Sequence, residues 1–180
     1  ACAGTPVAHW RFDETSWDGT ADEVVDSEGA NHGVATSTDP DSGMLCNAAD
    51  FGADGTSDYL TLNSGALDGA TDFTISAWVK TNNNENQSLI SGANSSQNNE
   101  LLMWLTNGST FTPFLKGSAL SNISITSIAD DQWHHLVWVR SGSQNCIYRD
   151  ATLQGCSSGT TSAVSIDAGG LVLGQEQDSV

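Results

Sequence analysis

Two short polar runs in this sequence carry oxygen atoms placed for chemistry. Glu176, Gln177 and Asp178 stand just past the apolar Leu171, Val172 and Leu173, and no Lys or Arg lies close in sequence to neutralise the two carboxylates. Asn98 and Asn99 come one residue before a second apolar stretch that begins at Leu101. Calcium takes six to eight hard oxygen ligands from carboxylates, amide side chains and backbone carbonyls, gathered from loops at one edge of a fold. Either run alone reads better as an Asx-rich turn than as a metal site. The case for a metal therefore depends on what the intervening elements bring together.

Other chemistries find less support. His134 and His135 lie inside a strand-like pattern, and the G-x-S-x-G elbow of a serine hydrolase is absent. We read His134 as facing solvent and His135 as facing the core. The acids of "EVVDSE" (Glu23, Asp26, Glu28) sit in an alternating stretch that sends Glu23 and Asp26 to opposite faces. Retaining glycoside hydrolysis needs two carboxyl groups about 5–5.5 Å apart, and the E-x-D-x-x-E pattern that would supply them is missing. No enzyme is expected.

The elements that must position these residues are strands. Alternation in "VAHWRFDE" puts Ala8, Trp10 and Phe12 on one face, and "SDYLTL" puts Leu60 and Leu62 together. "DFTISAWVKT" points Phe73, Ile75, Ala77 and Val79 inward, and "QWHHLVWVRSG" puts Trp133, His135, Val137 and Val139 on one side against Leu136 and Trp138. Some ten or eleven short strands, separated by Gly, Asn, Asp and Ser clusters and lacking helical periodicity, predict an all-β antiparallel sandwich of the jelly-roll kind. One domain is expected over residues 1–180. The final strand-like run ends at its turn, so the reading also expects the last strands to lie beyond Val180.

Charge and cysteines narrow the setting. Five Lys and Arg oppose 22 Asp and Glu among 180 residues, a formal charge of −17. Such a surface repels phosphate backbones and anionic lipid, so nucleic acid is not an expected partner. Divalent cations are its natural counter-ions, and solvation in a salty medium explains the same charge. No apolar run approaches the ~18 residues of a membrane span, so no membrane insertion is expected. Four Cys without metal-ligand spacing suit a secreted or cell-surface, extracellular chain with structural disulfides. Cys146 and Cys156 flank a hairpin-like "IYRDATLQG", which favours a local bridge and leaves Cys2 for Cys46.

Together these segments resemble a known family. "LVLGQEQDSV" is similar to the calcium-binding strand and loop of the pentraxins, and "NNELLMW" to the earlier calcium loop of the same family, with "DFTISAWVKT" and "WHHLVWVRSG" in the corresponding order. The resemblance covers residues 59–180 and implies the laminin-G-like, concanavalin A-like jelly roll. The N-terminal "AHWRFDETSWDGTADEVVDSEGANHG" with "LCNAADFGADGTSDYLTL" resembles laminin-G-like domains of bacterial surface proteins of the MSHA-biogenesis type.

The resemblance implies that Glu176 and Asp178 bind Ca2+ through their side chains, Gln177 through its backbone carbonyl, and Asn99 through its amide. Asn98 stands where pentraxins have Asp, which exchanges a charged oxygen for a neutral one. Ser76 and Val137 occupy the positions of the pentraxin disulfide, a departure from the vertebrate serum group; an oligomer is nonetheless compatible. The function implied is a calcium-dependent module binding a glycan or a small anionic ligand on a cell surface, serving adhesion. Trp17 or Trp104 would offer a stacking face, although each also reads as a packing residue. The alternative is a structural subunit or spacer in which calcium only stiffens loops.

Overall fold

The computed structural model describes residues 5–52 and 58–176. Fourteen strands, all paired antiparallel, make up almost all of its regular structure: β1 (Gly33–Thr36), β2 (Asp39–Ser42), β3 (Asn47–Asp50), β4 (Tyr59–Leu62), β5 (Phe73–Lys80), β6 (Gln87–Asn94), β7 (Gln97–Thr106), β8 (Thr110–Leu115), β9 (Ser118–Ala119), β10 (Ile123–Ser124), β11 (Trp133–Ser141), β12 (Gln144–Arg149), β13 (Thr152–Ser158) and β14 (Leu171–Leu173). One turn of 3-10 helix, Ser64–Ala66, is capped by the Asn63 side chain, which accepts from Gly65 N. The larger sheet runs β1-β4-β14-β6-β7-β8-β10 with β9 on β8, and a four-stranded sheet runs β13-β12-β11-β5.

Alternation explains the layers. Leu60 and Leu62 of β4, Leu101, Met103 and Leu105 of β7, and Phe111 and Leu115 of β8 point into the core from the larger sheet. Leu136 and Trp138 of β11 and Ile147 of β12 meet them from the smaller one, with Phe73 edge-to-face on Trp138 at 5.1 Å. This is an all-β sandwich, as the alternation predicts. Residues 7–12 supply Trp10 and Phe12 to the core, yet form only an isolated bridge, Trp10 to Asp26, in place of the expected strand.

Two inward assignments change. On β11 the buried face is His134, Leu136, Trp138 and Arg140, so His134 is inside at 7% exposure and His135 is the more open of the pair. His134 and Arg140 both have partners that the strand pattern does not reveal. His134 Nδ1 lies 2.9 Å from Asp150 Oδ2, and its Nε2 lies 3.0 Å from Asp130 Oδ1. Arg140 Nη2 donates to the carbonyls of Thr160 (2.9 Å) and Ser162 (2.6 Å) and lies over the Phe73 ring. On β5, Phe73, Ile75 and Val79 pack on the core, but Ala77 is exposed because β5 is the edge of its sheet.

The Cys146–Cys156 bridge is present, and its two residues are direct cross-strand partners in the β12–β13 hairpin. That hairpin turns through Asp150 and Ala151, both at positive φ (49° and 63°), the two-residue geometry that matches strand twist. Ser76 and Val137, which the resemblance aligns with the pentraxin disulfide, are cross-strand partners on β5 and β11. Cys46 is exposed between β2 and β3; its expected partner, Cys2, lies outside the described residues. No helix is long and apolar enough to cross a membrane among the described residues.

Candidate functional site

Of the residues singled out for calcium, Asn98 and Asn99 lie at the start of β7 and Glu176 follows β14. β14 pairs with β6, Leu171 opposite Gly92 and Val172 opposite Ser91. Just before it, Ala93 N donates to Gly170 O (2.9 Å), and Asp167 N donates to Ala93 O (3.0 Å). Ser95 N donates to Asp167 Oδ2 at 2.7 Å and Asn94 Nδ2 to Ser165 O at 2.9 Å, so the segment before β14 is tied to the hairpin tip.

Past β14 the chain changes course. Gly174 has φ +84°, a left-handed conformation that glycine adopts freely, and a Cβ there would run into the Phe51 ring. The Gln175 carbonyl then accepts from Ser91 Oγ at 3.0 Å, although the strand partner of Ser91 is Val172. The chain has therefore doubled back over β6. Ser91 points away from the core, since its neighbours Ile90 and Gly92 pair with the core residues Met103 and Leu101. Glu176, half-buried, follows directly on this outer face; Gln177 and Asp178 lie outside the described residues.

At the start of β7, Asn98 is exposed and Asn99 half-buried. The Asn99 backbone carbonyl accepts from Gly117 N at 2.7 Å in the turn between β8 and β9. Its side-chain Oδ1 is buried and has no hydrogen-bond partner. Burying an amide oxygen without a donor costs about 1–3 kcal/mol, and a hard cation is one group that would recover it. The adjacent Glu100, which the sequence did not single out, is committed elsewhere. Its Oε1 lies 2.9 Å from Lys116 Nζ, and its Oε2 accepts from Ser165 N at 3.1 Å. Partners 16 and 65 residues away left no signal in the motif itself. Among the described residues no three His, Cys, Asp or Glu side chains converge as a metal cluster.

The remaining candidates are structural. Asp26, 3% exposed, accepts from the backbone N–H groups of His9 (2.8 Å), Glu28 (3.0 Å) and Asn31 (3.1 Å). Burial alone would raise its carboxyl, but these donors outweigh burial and hold it below the ordinary carboxylate value. Glu23 accepts from Asp18 N, Gly19 N and Ala35 N. Neither acid faces the other as a catalytic pair. The Trp17 ring is buried rather than offered for stacking, and Trp104 is half-buried on β7.

Set against known proteins, residues 54–180 match the model of a laminin-G-like family described as the Concanavalin A-like lectin/glucanases superfamily. The chain belongs to this superfamily. A search of curated proteins finds no match. Among solved structures it is similar to a heptameric SAP-like pentraxin from Limulus polyphemus, with 27% identity over 62% of this chain and 55% of that one, at a TM-score of 0.52. Domain 4 of AbnA, an extracellular arabinanase of Geobacillus stearothermophilus solved with arabinotriose, has 16% identity over 89% of this chain and 84% of that one, at a TM-score of 0.60. A botulinum neurotoxin type C structure, described as entering cells through two ganglioside molecules, has 14% identity over 89% of this chain and 42% of that one, at a TM-score of 0.62. The chain thus spans about half the length of the pentraxin and less than half of the toxin. By its description the superfamily takes in both lectins and glucanases.

Proposed function

We propose that this superfamily member is an extracellular, calcium-dependent module that binds a glycan on a cell surface in the service of adhesion. The observation that carries the reading is the buried, unpartnered Oδ1 of Asn99 at the start of β7. Asn98, Asn99, Glu176, Gln177 and Asp178 are the proposed ligands. Glu176 and Asp178 would supply the negative charge, Gln177 its carbonyl, and the two Asn neutral oxygens. Three neutral oxygens among five give weaker binding than an all-carboxylate shell, and ligand hydroxyls would complete the coordination sphere. The ligands named for the arabinanase domain and the toxin are a saccharide and gangliosides, which supports a glycan over a peptide.

Calcium calorimetry on chelator-stripped protein tests the metal. Saturable binding that Asn99→Ala weakens about tenfold or more supports it, and no heat at millimolar calcium refutes it. A glycan array read with and without calcium tests the ligand. Calcium binding without any glycan signal would transfer the site to the structural-spacer role.

A further inference from the structure

The four strands of the smaller sheet contain no Asp or Glu, in a chain that has 22. On β11 the buried residues His134, Leu136, Trp138 and Arg140 turn Trp133, His135 and Val137 to the outer face. Their cross-strand partners on β5 are Lys80, Trp78 and Ser76, which share that face.

Trp78 is its open feature, at 45% exposure. The His135 ring lies 5.2 Å from the indole, tilted by 33°. His135 is itself held, with Nε2 2.7 Å from Ser76 Oγ and its backbone N–H donating to Asp150 Oδ1 at 2.9 Å. β5 is the outermost strand, so no strand lies beyond it to cover the other side of the indole. The fold therefore presents a braced aromatic ring, open on one side, with Ser76 and Lys80 as its polar neighbours along β5.

Charge and size select what can cover this ring. An anion meets the field of a chain of charge −17. A cation is drawn to acids elsewhere, and Lys80 opposes it here. A second copy brings the same −17, and a stable protein interface needs about 800 Å² per side. Four strands about 4.8 Å apart and about seven residues long span only about 450 Å², and Asp131 and Asp150 stand at one end of that area. A small neutral guest remains, with an apolar side for the indole and hydroxyls for Ser76 and Lys80. β-Linked sugars of gluco configuration have that shape, because equatorial hydroxyls leave C–H bonds on both ring faces and each hydroxyl donates and accepts.

We propose that Trp78, braced by His135 on the outer face of the smaller sheet, is a stacking platform for a neutral β-linked glycan of gluco type. None of these residues is a proposed metal ligand, so the platform works without calcium and stands or falls separately from the calcium reading.

The test uses the whole chain in excess chelator, titrated with cellotetraose and with chitotetraose and followed by calorimetry and Trp fluorescence. Saturable binding of at least one sugar is expected. Trp78→Ala should weaken it about tenfold or more, whereas Trp78→Tyr, which keeps a ring, should stay within about threefold. If Trp78→Ala does not fold, oxidation of the wild-type chain by N-bromosuccinimide decides: bound sugar should protect Trp78, and an unprotected Trp78 refutes the platform. No saturable signal with either sugar at about 20 mM, where a single stacked ring should already hold it, overturns the proposal. Binding that Trp78→Ala leaves intact does the same. So does a dimer of the free chain, seen by sedimentation, that Trp78→Ala dissolves, because the face then belongs to a second copy.

Discussion

At the scale of single residues, several polar groups inside this sandwich are held by acids from neighbouring loops and turns, and low pH should release them. Asp130 is kept below the ordinary carboxylate value chiefly by its hydrogen bond to His134. Burial would raise Asp150, but the His135 N–H, His134 and Arg149 outweigh burial and lower it. A carboxyl depressed in the folded chain binds fewer protons than when unfolded, so stability rises with pH across that interval. The contribution of these acids is complete above the unfolded value of about 4 and is lost as pH falls through the lower folded values. Thermal midpoints recorded from pH 6 to pH 2.5 should fall steeply below about pH 4, and less steeply in Asp150→Asn. Asp26→Ala should cost about 3 kcal/mol in urea unfolding at pH 7, because it strands three backbone donors in a buried site. These dependencies explain the one face that alternation misassigned. Val137 and Val139 look more apolar than His134 and Arg140, but the latter pair share the buried face of Leu136 and Trp138, where Asp130, Asp150 and the carbonyls of Thr160 and Ser162 meet their polar groups.

At the scale of elements, the β12–β13 hairpin is the most legible part of the chain. The spacing of Cys146 and Cys156 about a short turn was visible in sequence, and the structure makes them cross-strand partners. Reducing the bridge should cost about 2–3 kcal/mol, the closure entropy of a loop of this size, measured as a lower midpoint in reductant. The turn itself carries a correctable defect. Ala151 sits at φ 63°, where an L-residue other than Gly pays about 1–2 kcal/mol. Ala151→Gly should therefore raise stability by a fraction of that, up to about 1 kcal/mol, since the freer unfolded chain takes back part of the gain. Less legible were β1, β2, β3 and β10, which are short, and for β2 and β3 free of β-branched residues. Residues 7–12 show the reverse case: a clean alternation that buries Trp10 and Phe12 without a ladder beside it. Alternation reports a face, and it does not by itself supply a neighbouring strand.

At the scale of the whole molecule, the charge of −17 gives calcium two separate ways to act. Any added salt screens self-repulsion and raises the midpoint. A specific site adds a further increment that grows as the logarithm of calcium concentration over its dissociation constant. At matched ionic strength, calcium chloride should therefore exceed sodium chloride in the wild-type chain, and Asn99→Ala should erase the difference while keeping the common salt effect. The superfamily could be read from the motif runs because they combine an apolar strand with a fixed polar sequence. The orphaned oxygen of Asn99 could not, since it arises from what fails to lie within bonding distance in three dimensions.

The scarcity of basic residues also makes the Lys116 contact a reporter. Trypsin has five cleavage positions in this chain, and Arg140 is buried within β11. Lys116 instead occupies the turn between β8 and β9 at φ 54°, partly exposed, with its ammonium on Glu100 and the following Gly117 N–H bonded to the Asn99 carbonyl. A nick there cuts the chain beside the proposed metal ligands. The rate at which the cut after Lys116 appears in limited digestion thus registers local opening at that corner of the sandwich, and occupancy of the neighbouring Asn99 should slow it without any label being attached.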